Sequence, residues 1–147
     1  MITLNNLLNT QQQTKFATDN GTKIHKLLQH VVIDNDTEQG DIKLVSRIKA
    51  NPSLIRFFNK SARTEVPIAG KIKNIFISRR IDRLCIDNTT KTIEIIDYKT
   101  DIIHDKFYTT YISQIREYVT LLRAIYPEYK INAYILWTHD FSLEKIV

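Results

Sequence analysis

Two segments rich in β-branched residues carry charges where a strand should carry none. The run Ile93-Glu94-Ile95-Ile96-Asp97-Tyr98-Lys99 has the make-up of a strand with a buried face. Side chains alternate along a strand, so Ile93 and Ile95 share a face with Asp97 and Lys99. Earlier in the chain, Ile81-Asp82-Arg83-Leu84-Cys85-Ile86 repeats the anomaly, with Asp82 on the face of Leu84 and Ile86. Between the two runs, Asp87-Asn88-Thr89-Thr90 supplies turn residues, so the runs read as neighbouring strands. Burying a lone charge is strongly unfavourable unless a partner or a metal compensates it. Two carboxylates and an ammonium converging from adjacent strands are more easily explained together, around a cation, than one by one.

The surrounding pattern gives this pair of strands its setting. Ile24, Leu27, Leu28, Val31 and Val32 recur at helical spacing after a possible cap at Asp19 or Asn20, and residues 42–48 and 53–58 are also helix-periodic. Residues 34–41, with Gly40 near their end, read as a loop. A β-region opens near Thr64 with Glu65-Val66-Pro67-Ile68-Ala69-Gly70, continues through 72–77, and leads into the two charged strands, a three-stranded meander. Residues 108–126 are helix-periodic through Ile112, Ile115, Val119, Leu122 and Ile125, until Pro127 stops them. A buried strand at 131–137 and a short tail close the chain. Helices, a meander, then helix and strand predict an α/β sheet with helices packed on it. At 147 residues the chain suits one domain, residues 1–147, with a mainly helical part at 1–60 and an αβ core at 61–147.

The net charge of +5 arises from 21 basic and 16 acidic residues. If several acids are sequestered in a metal site, the remaining surface is basic enough for a polyanion. One cysteine, Cys85, excludes an internal disulfide, a zinc ribbon and an all-cysteine iron–sulfur cluster, and reads as a buried, inert thiol. No apolar run approaches the length of a membrane span, and the first residues lack the basic flank and apolar core of a signal peptide, so a cytoplasmic protein is expected. No Gly-x-x-x-x-Gly-Lys-Ser/Thr loop is present, hence no sign of a nucleotide-driven motor.

Six motifs follow one another: Gly21-Thr22-Lys23-Ile24-His25-Lys26-Leu27-Leu28-Gln29; Glu65-Val66-Pro67-Ile68-Ala69-Gly70; Ile81-Asp82-Arg83-Leu84; Asp97-Tyr98-Lys99-Thr100; Tyr111-x-x-Gln114-x-x-x-Tyr118; and Leu136-Trp137-Thr138. Together they resemble, in family order and over almost the whole chain, the PD-(D/E)XK nuclease domain of the AddA/RecB type. The resemblance implies a restriction-endonuclease-like core, a mixed central sheet flanked by helices. It implies His25, Asp82 and Asp97 as metal ligands, Lys99 as the catalytic lysine, and Gln114 and Tyr118 as its supporting residues. Positions 114 and 118 are one helical turn apart with Tyr111 on the same side, which agrees independently. Hard oxygen ligands suit Mg²⁺ or Mn²⁺, and a histidine favours tolerance of Mn²⁺. Glu65 is open to two roles, a supporting carboxylate or a ligand to a second ion. Arg79, Arg80, Lys71 and Lys73 beside the catalytic strand, with Tyr111, are candidate DNA contacts.

The implied activity is metal-dependent hydrolysis of DNA, exonucleolytic on single-stranded ends, in double-strand break repair. A separate helicase chain is an expected partner, because the family domain normally forms the C-terminal part of a large helicase. Arg79 stands where the family usually has Gly, and there it either crowds the site or adds a phosphate contact. That departure favours an alternative, a nuclease remnant that binds DNA or a helicase without cutting. A Cas4-like reading needs several cysteines and is excluded by one. Taken singly, His25 beside Leu27 and Leu28 reads as an ordinary half-exposed histidine, Lys99 as a solvated strand end, and Tyr126 as a core aromatic with a wet tip.

Overall fold

The computed structural model describes residues 21–100 and 107–147; the suggested cap at Asp19 or Asn20 lies outside them. Helix α1 runs through residues 21–29 and is followed by β1 (Val32–Ile33) and β2 (Glu38–Gln39), which pair antiparallel. Next come α2 (Ile42–Lys49), α3 (Pro52–Ile55), β3 (Arg63–Ile72), β4 (Ile75–Asp87), β5 (Thr92–Lys99), α4 (Tyr108–Ile125), β6 (Lys130–Trp137) and β7 (Ser142–Lys145). Strands β3 to β7 form a five-stranded sheet in sequence order. All its pairs are antiparallel except β5–β6, which is parallel, so the sheet is mixed. A parallel pair needs a crossover, and α4 lies in that connection.

Alternation along β5 and β6 builds a core on each side of the sheet. Ile93 and Ile95 of β5, with Ile131, Ala133, Ile135 and Trp137 of β6, pack against Ile115, Val119, Leu121 and Leu122 of α4. The intervening Ile96, Tyr98, Tyr134 and Leu136 pack against Leu28, Val45, Ile48, Leu54, Phe57 and Phe58 from the N-terminal helices and the turns after α3. Both faces of β5 and β6 are therefore covered, which is why these segments read as near-continuous apolar runs. The mixed α/β architecture with helices on the sheet is as expected from the sequence.

Local chemistry fixes several boundaries. Gly40 adopts a φ of 117°, which few side chains tolerate, and hands the chain to Asp41, whose Oδ1 accepts from Leu44 N at 3.0 Å and caps α2. Asn51 caps α3 by accepting from Ser53 N at 3.1 Å, with Pro52 in the first helical turn. Asp87 Oδ1 accepts from Thr89 N and Thr90 N, making the turn anticipated between β4 and β5.

Three sequence expectations need correction. Helical periodicity suggested that Val31 and Val32 belonged to the first helix, but that helix ends at 29 and Val32 pairs with Gln39 instead. The β-branched run Val31-Val32-Ile33 prefers extended backbone, and it gives the presumed loop at 34–41 a partner strand. Residues 72–77 do not form a strand of their own. They span the reversal between β3 and β4, where Lys73 and Asn74 take φ values of 51° and 65°, as a two-residue hairpin turn requires. Finally, the tail contains a fifth sheet strand, β7, paired with the second half of β6.

Candidate active site

The site forms where two strands part. The β4–β5 ladder runs from Asp87↔Thr92 to Arg83↔Ile96 and goes no further, whereas β5 stays paired with β6 through Lys99↔Trp137. Beyond Ile96, β5 has an open edge towards β4, and its Tyr98 N–H needs an acceptor other than a β4 carbonyl. Asp82 supplies it: its Oδ2 accepts from Tyr98 N at 2.8 Å.

Strict alternation does not carry through this point of β4. Ile81 packs in the core beneath α4, while Arg83, two residues on, donates to Phe57 O and Leu28 O on the other side of the sheet. Opposite, Glu65 of β3 adopts a φ of 52°, between the regular pairs Thr64↔Arg83 and Val66↔Ile81. Asp82 therefore reaches across the gap towards β5, rather than simply sharing the face of Leu84 and Ile86.

Asp97 is buried at 4% exposure on the α4 side. Lys99 Nζ lies 2.9 Å from its Oδ2 and compensates this buried oxygen as an ion pair. Burial, then the charge of Asp97, pushes the Asp82 carboxyl up to about 8. Two carboxylates thus share a space that favours only one negative charge. A divalent cation held between the two carboxylates would relieve that conflict.

His25 comes from α1. Its Nδ1 is 3.9 Å from Asp82 Oδ1, and its ring meets the Tyr98 ring edge-on at 5.3 Å. Burial holds its pKa below 6.5, partly opposed by the charge of Asp97, so the imidazole is neutral near pH 7 and keeps a lone pair for a metal. Gly21 brings this helix close: a Cβ there would stand 2.9 Å from Thr100 Oγ1, immediately after Lys99. Among the described residues, no three histidine, cysteine or acidic side chains are gathered tightly enough to form a ready-made ligand cage. The donors that fit a divalent ion are the Asp82–Asp97 pair, with His25 beside it. A site built on two carboxylates suits Mg²⁺, which usually keeps several waters.

Lys99 is held from several directions. Its Nζ donates to Gln114 Oε1 at 3.0 Å and sits 4.3 Å from the centroid of the Tyr111 ring. Gln114 Nε2 in turn donates to the Tyr118 hydroxyl at 2.7 Å. Burial, followed by the charges of Asp97 and Asp82, raises the Tyr118 phenol, which therefore stays protonated. The backbone is pinned as well, since Thr138 N donates to Lys99 O at 2.8 Å. The structure thus brings together Asp82, Asp97, Lys99, Gln114, Tyr118, Tyr111 and His25 from four elements and gives Thr138 a supporting role.

The remaining candidates divide. Glu65 pairs with Arg80 at 3.7 Å and, with His25, lines a cleft of about 440 Å³. Arg79 donates to Glu117 of α4 at 3.0 Å. Lys71 and Lys73 are exposed near the tip of the β3–β4 hairpin.

Arg83 is the residue that sequence reasoning undervalued. Adjacent to Asp82 in β4, it is 2% exposed and turned to the opposite side of the sheet. It donates to Tyr98 OH at 2.7 Å, Phe57 O at 3.2 Å and Leu28 O at 2.8 Å, and stacks over Phe58. It fixes the Tyr98 ring on which His25 rests and ties the end of α1 to the sheet. The only advance signal was an arginine inside an apolar strand. Compared with protein-family models and with curated proteins, the chain matches neither any family model nor any curated protein.

Proposed function

We propose that this protein is a Mg²⁺- or Mn²⁺-dependent DNA phosphodiester hydrolase with a PD-(D/E)XK core of the AddA/RecB type, acting as an exonuclease on single-stranded ends. The observation that carries the reading is the convergence of Asp82, Asp97 and Lys99 where β4 and β5 separate, with two largely buried carboxyl groups facing one another. Asp82 and Asp97 would hold the metal, with His25 as the adjoining ligand. When bound, a divalent ion supplies Lewis acidity towards water and a phosphate oxygen.

The protein groups do the positioning. Lys99 donates to the attacking water and offsets negative charge gathering on the phosphate as the phosphorus–oxygen bond breaks. Gln114 takes one direction of the ammonium, Asp97 another, and the Tyr111 ring lies against it, so few rotamers remain to be lost at the moment of reaction. Tyr118 orients Gln114 and acts on the chemistry only through it. Arg79, whose guanidinium is engaged by Glu117, is compatible with a working site.

The test is cleavage of end-labelled linear and of circular single-stranded DNA with Mg²⁺, Mn²⁺ or EDTA, for the wild type, Asp97→Ala and Lys99→Ala. Loss of linear substrate alone, abolished by EDTA and by either substitution, is the expected result. Cutting of circles would make the enzyme an endonuclease. DNA binding without turnover under any metal would replace the hydrolase with a non-cutting DNA-binding module.

A further inference from the structure

The β3–β4 ribbon continues beyond the separation of β4 from β5, and its two faces differ. Val66, Ile68, Ile72, Ile77 and Ile81 pack towards α4, and Arg79 on that side is bound by Glu117. The cross-strand partners Pro67↔Arg80, Ala69↔Ser78 and Lys71↔Phe76 make up the other face, and all six residues are exposed. Phe76 is 68% exposed beside Lys71, an arrangement with no value to the core. Small side chains lie between that pair and Arg80, and Arg80 lines the cleft that also holds His25 and Lys26.

We propose that this outward ribbon face is a track for single-stranded nucleic acid, with Phe76 as a base-stacking platform and Lys71 and Arg80 as phosphate contacts, leading the strand to the cleft beside His25. The inference rests on the hydrolase reading and adds to it a path for the strand and a contact, Phe76, that the motifs do not contain. At about 3.4 Å per strand residue, Phe76 and Arg80 stand roughly 14 Å apart, room for a short stretch of extended strand. An exposed aromatic among basic residues fits unstacked bases, whose faces are available only in a single strand. Glu65, the acidic group on this path, is already paired with Arg80. A protein strand adding to the β3 edge fits less well, because Pro67 lacks an N–H and Glu65 departs from extended backbone.

The test is fluorescence anisotropy of a labelled oligothymidine and of a duplex of equal length, in EDTA and over a range of NaCl, with thermal melts confirming that each variant is folded. Phe76→Ala is expected to weaken oligothymidine binding roughly 5- to 100-fold, with Phe76→Trp restoring it. Lys71→Ala should lower the salt slope by about 0.7, whereas Phe76→Ala should leave that slope unchanged. Unchanged binding by Phe76→Ala, absent binding by the wild type, or equal affinity for the duplex would each overturn the track. So would a change of oligomeric state in Phe76→Ala by light scattering, which would assign the face to a second copy of the chain. Because binding is read without metal, the two readings fail separately. Phe76-dependent binding without cleavage sinks only the hydrolase, and cleavage without Phe76 dependence sinks only the track.

Discussion

Arg83 and Asp82 are adjacent in β4, both removed from water, and treated in opposite ways. The guanidinium reaches three oxygen acceptors and an aromatic face, so its burial is compensated on all sides. The Asp82 carboxylate receives one backbone N–H and faces a second carboxylate, which leaves it short of compensation. A buried charge with complete partners belongs to the architecture, whereas one left wanting marks a place kept for something that arrives later.

This contrast breaks most visibly at Arg83. Replacing it with Met strips donors from two buried carbonyls and a phenol, and should cost about 3–5 kcal/mol in urea unfolding. Near-native stability of Arg83→Met would erase the distinction. Lys99→Ala should do the reverse, lowering cleavage roughly 10²–10³-fold while shifting the melting temperature little when Mg²⁺ is present to compensate Asp97. A large stability loss there would make Lys99 a structural ion-pair partner instead.

Asp82→Asn sharpens the comparison, because the amide keeps an acceptor for Tyr98 N and removes the repelled charge. Without metal at pH 8 it should be more stable than the wild type by about 1–2 kcal/mol, yet inactive. The sign follows from linkage. Between the ordinary carboxylate value of 3.8 and about 8, the folded wild type retains a proton that the unfolded chain has released, so Asp82's contribution to stability declines as pH rises through that window. His25, held neutral by burial, contributes in the opposite direction, its part growing as pH rises towards 6.5. The readout is therefore the wild-type melting temperature minus that of Asp82→Asn across pH, and a flat difference would refute the assignment. Mg²⁺ or Mn²⁺ should stabilise the wild type more at pH 8 than at pH 5, since binding must displace that proton. The smallest effect is expected for Tyr118→Phe, which leaves Gln114 without its hydroxyl acceptor and should slow cleavage about tenfold, with little change in substrate affinity.

The sequence announced the charges of the candidate site better than the buried arginine beside them. Asp82, Asp97 and Lys99 stood out because they violate an apolar face, whereas Gln114 and Tyr118 came with the family resemblance, and their spacing of one helical turn agreed with it. Arg83 drew no comparable notice, since its acceptors are carbonyls at Leu28 and Phe57, invisible to any pattern of side chains. The direction taken by Asp82 was hidden for a related reason: alternation presumes regular backbone, and Glu65 opposite it has a positive φ that a glutamate does not advertise. The short β1–β2 pair and β7 span only two to four residues per strand, and propensity over so short a run cannot identify them.

The parallel pairing of β5 with β6 also orders events during folding. Strands β3, β4 and β5 can zip through hairpins, which form quickly because their contacts are local. The β5–β6 pair must wait for α4 to pass over the sheet and for a long loop to close. A chain halted at the meander already carries Asp82, Asp97 and Lys99, but lacks Gln114 to hold the ammonium and Thr138 to pin the Lys99 carbonyl. On the proposed hydrolase reading, the site is completed only with the least local pairing, so the last long-range contacts to form are the ones that fix the lysine.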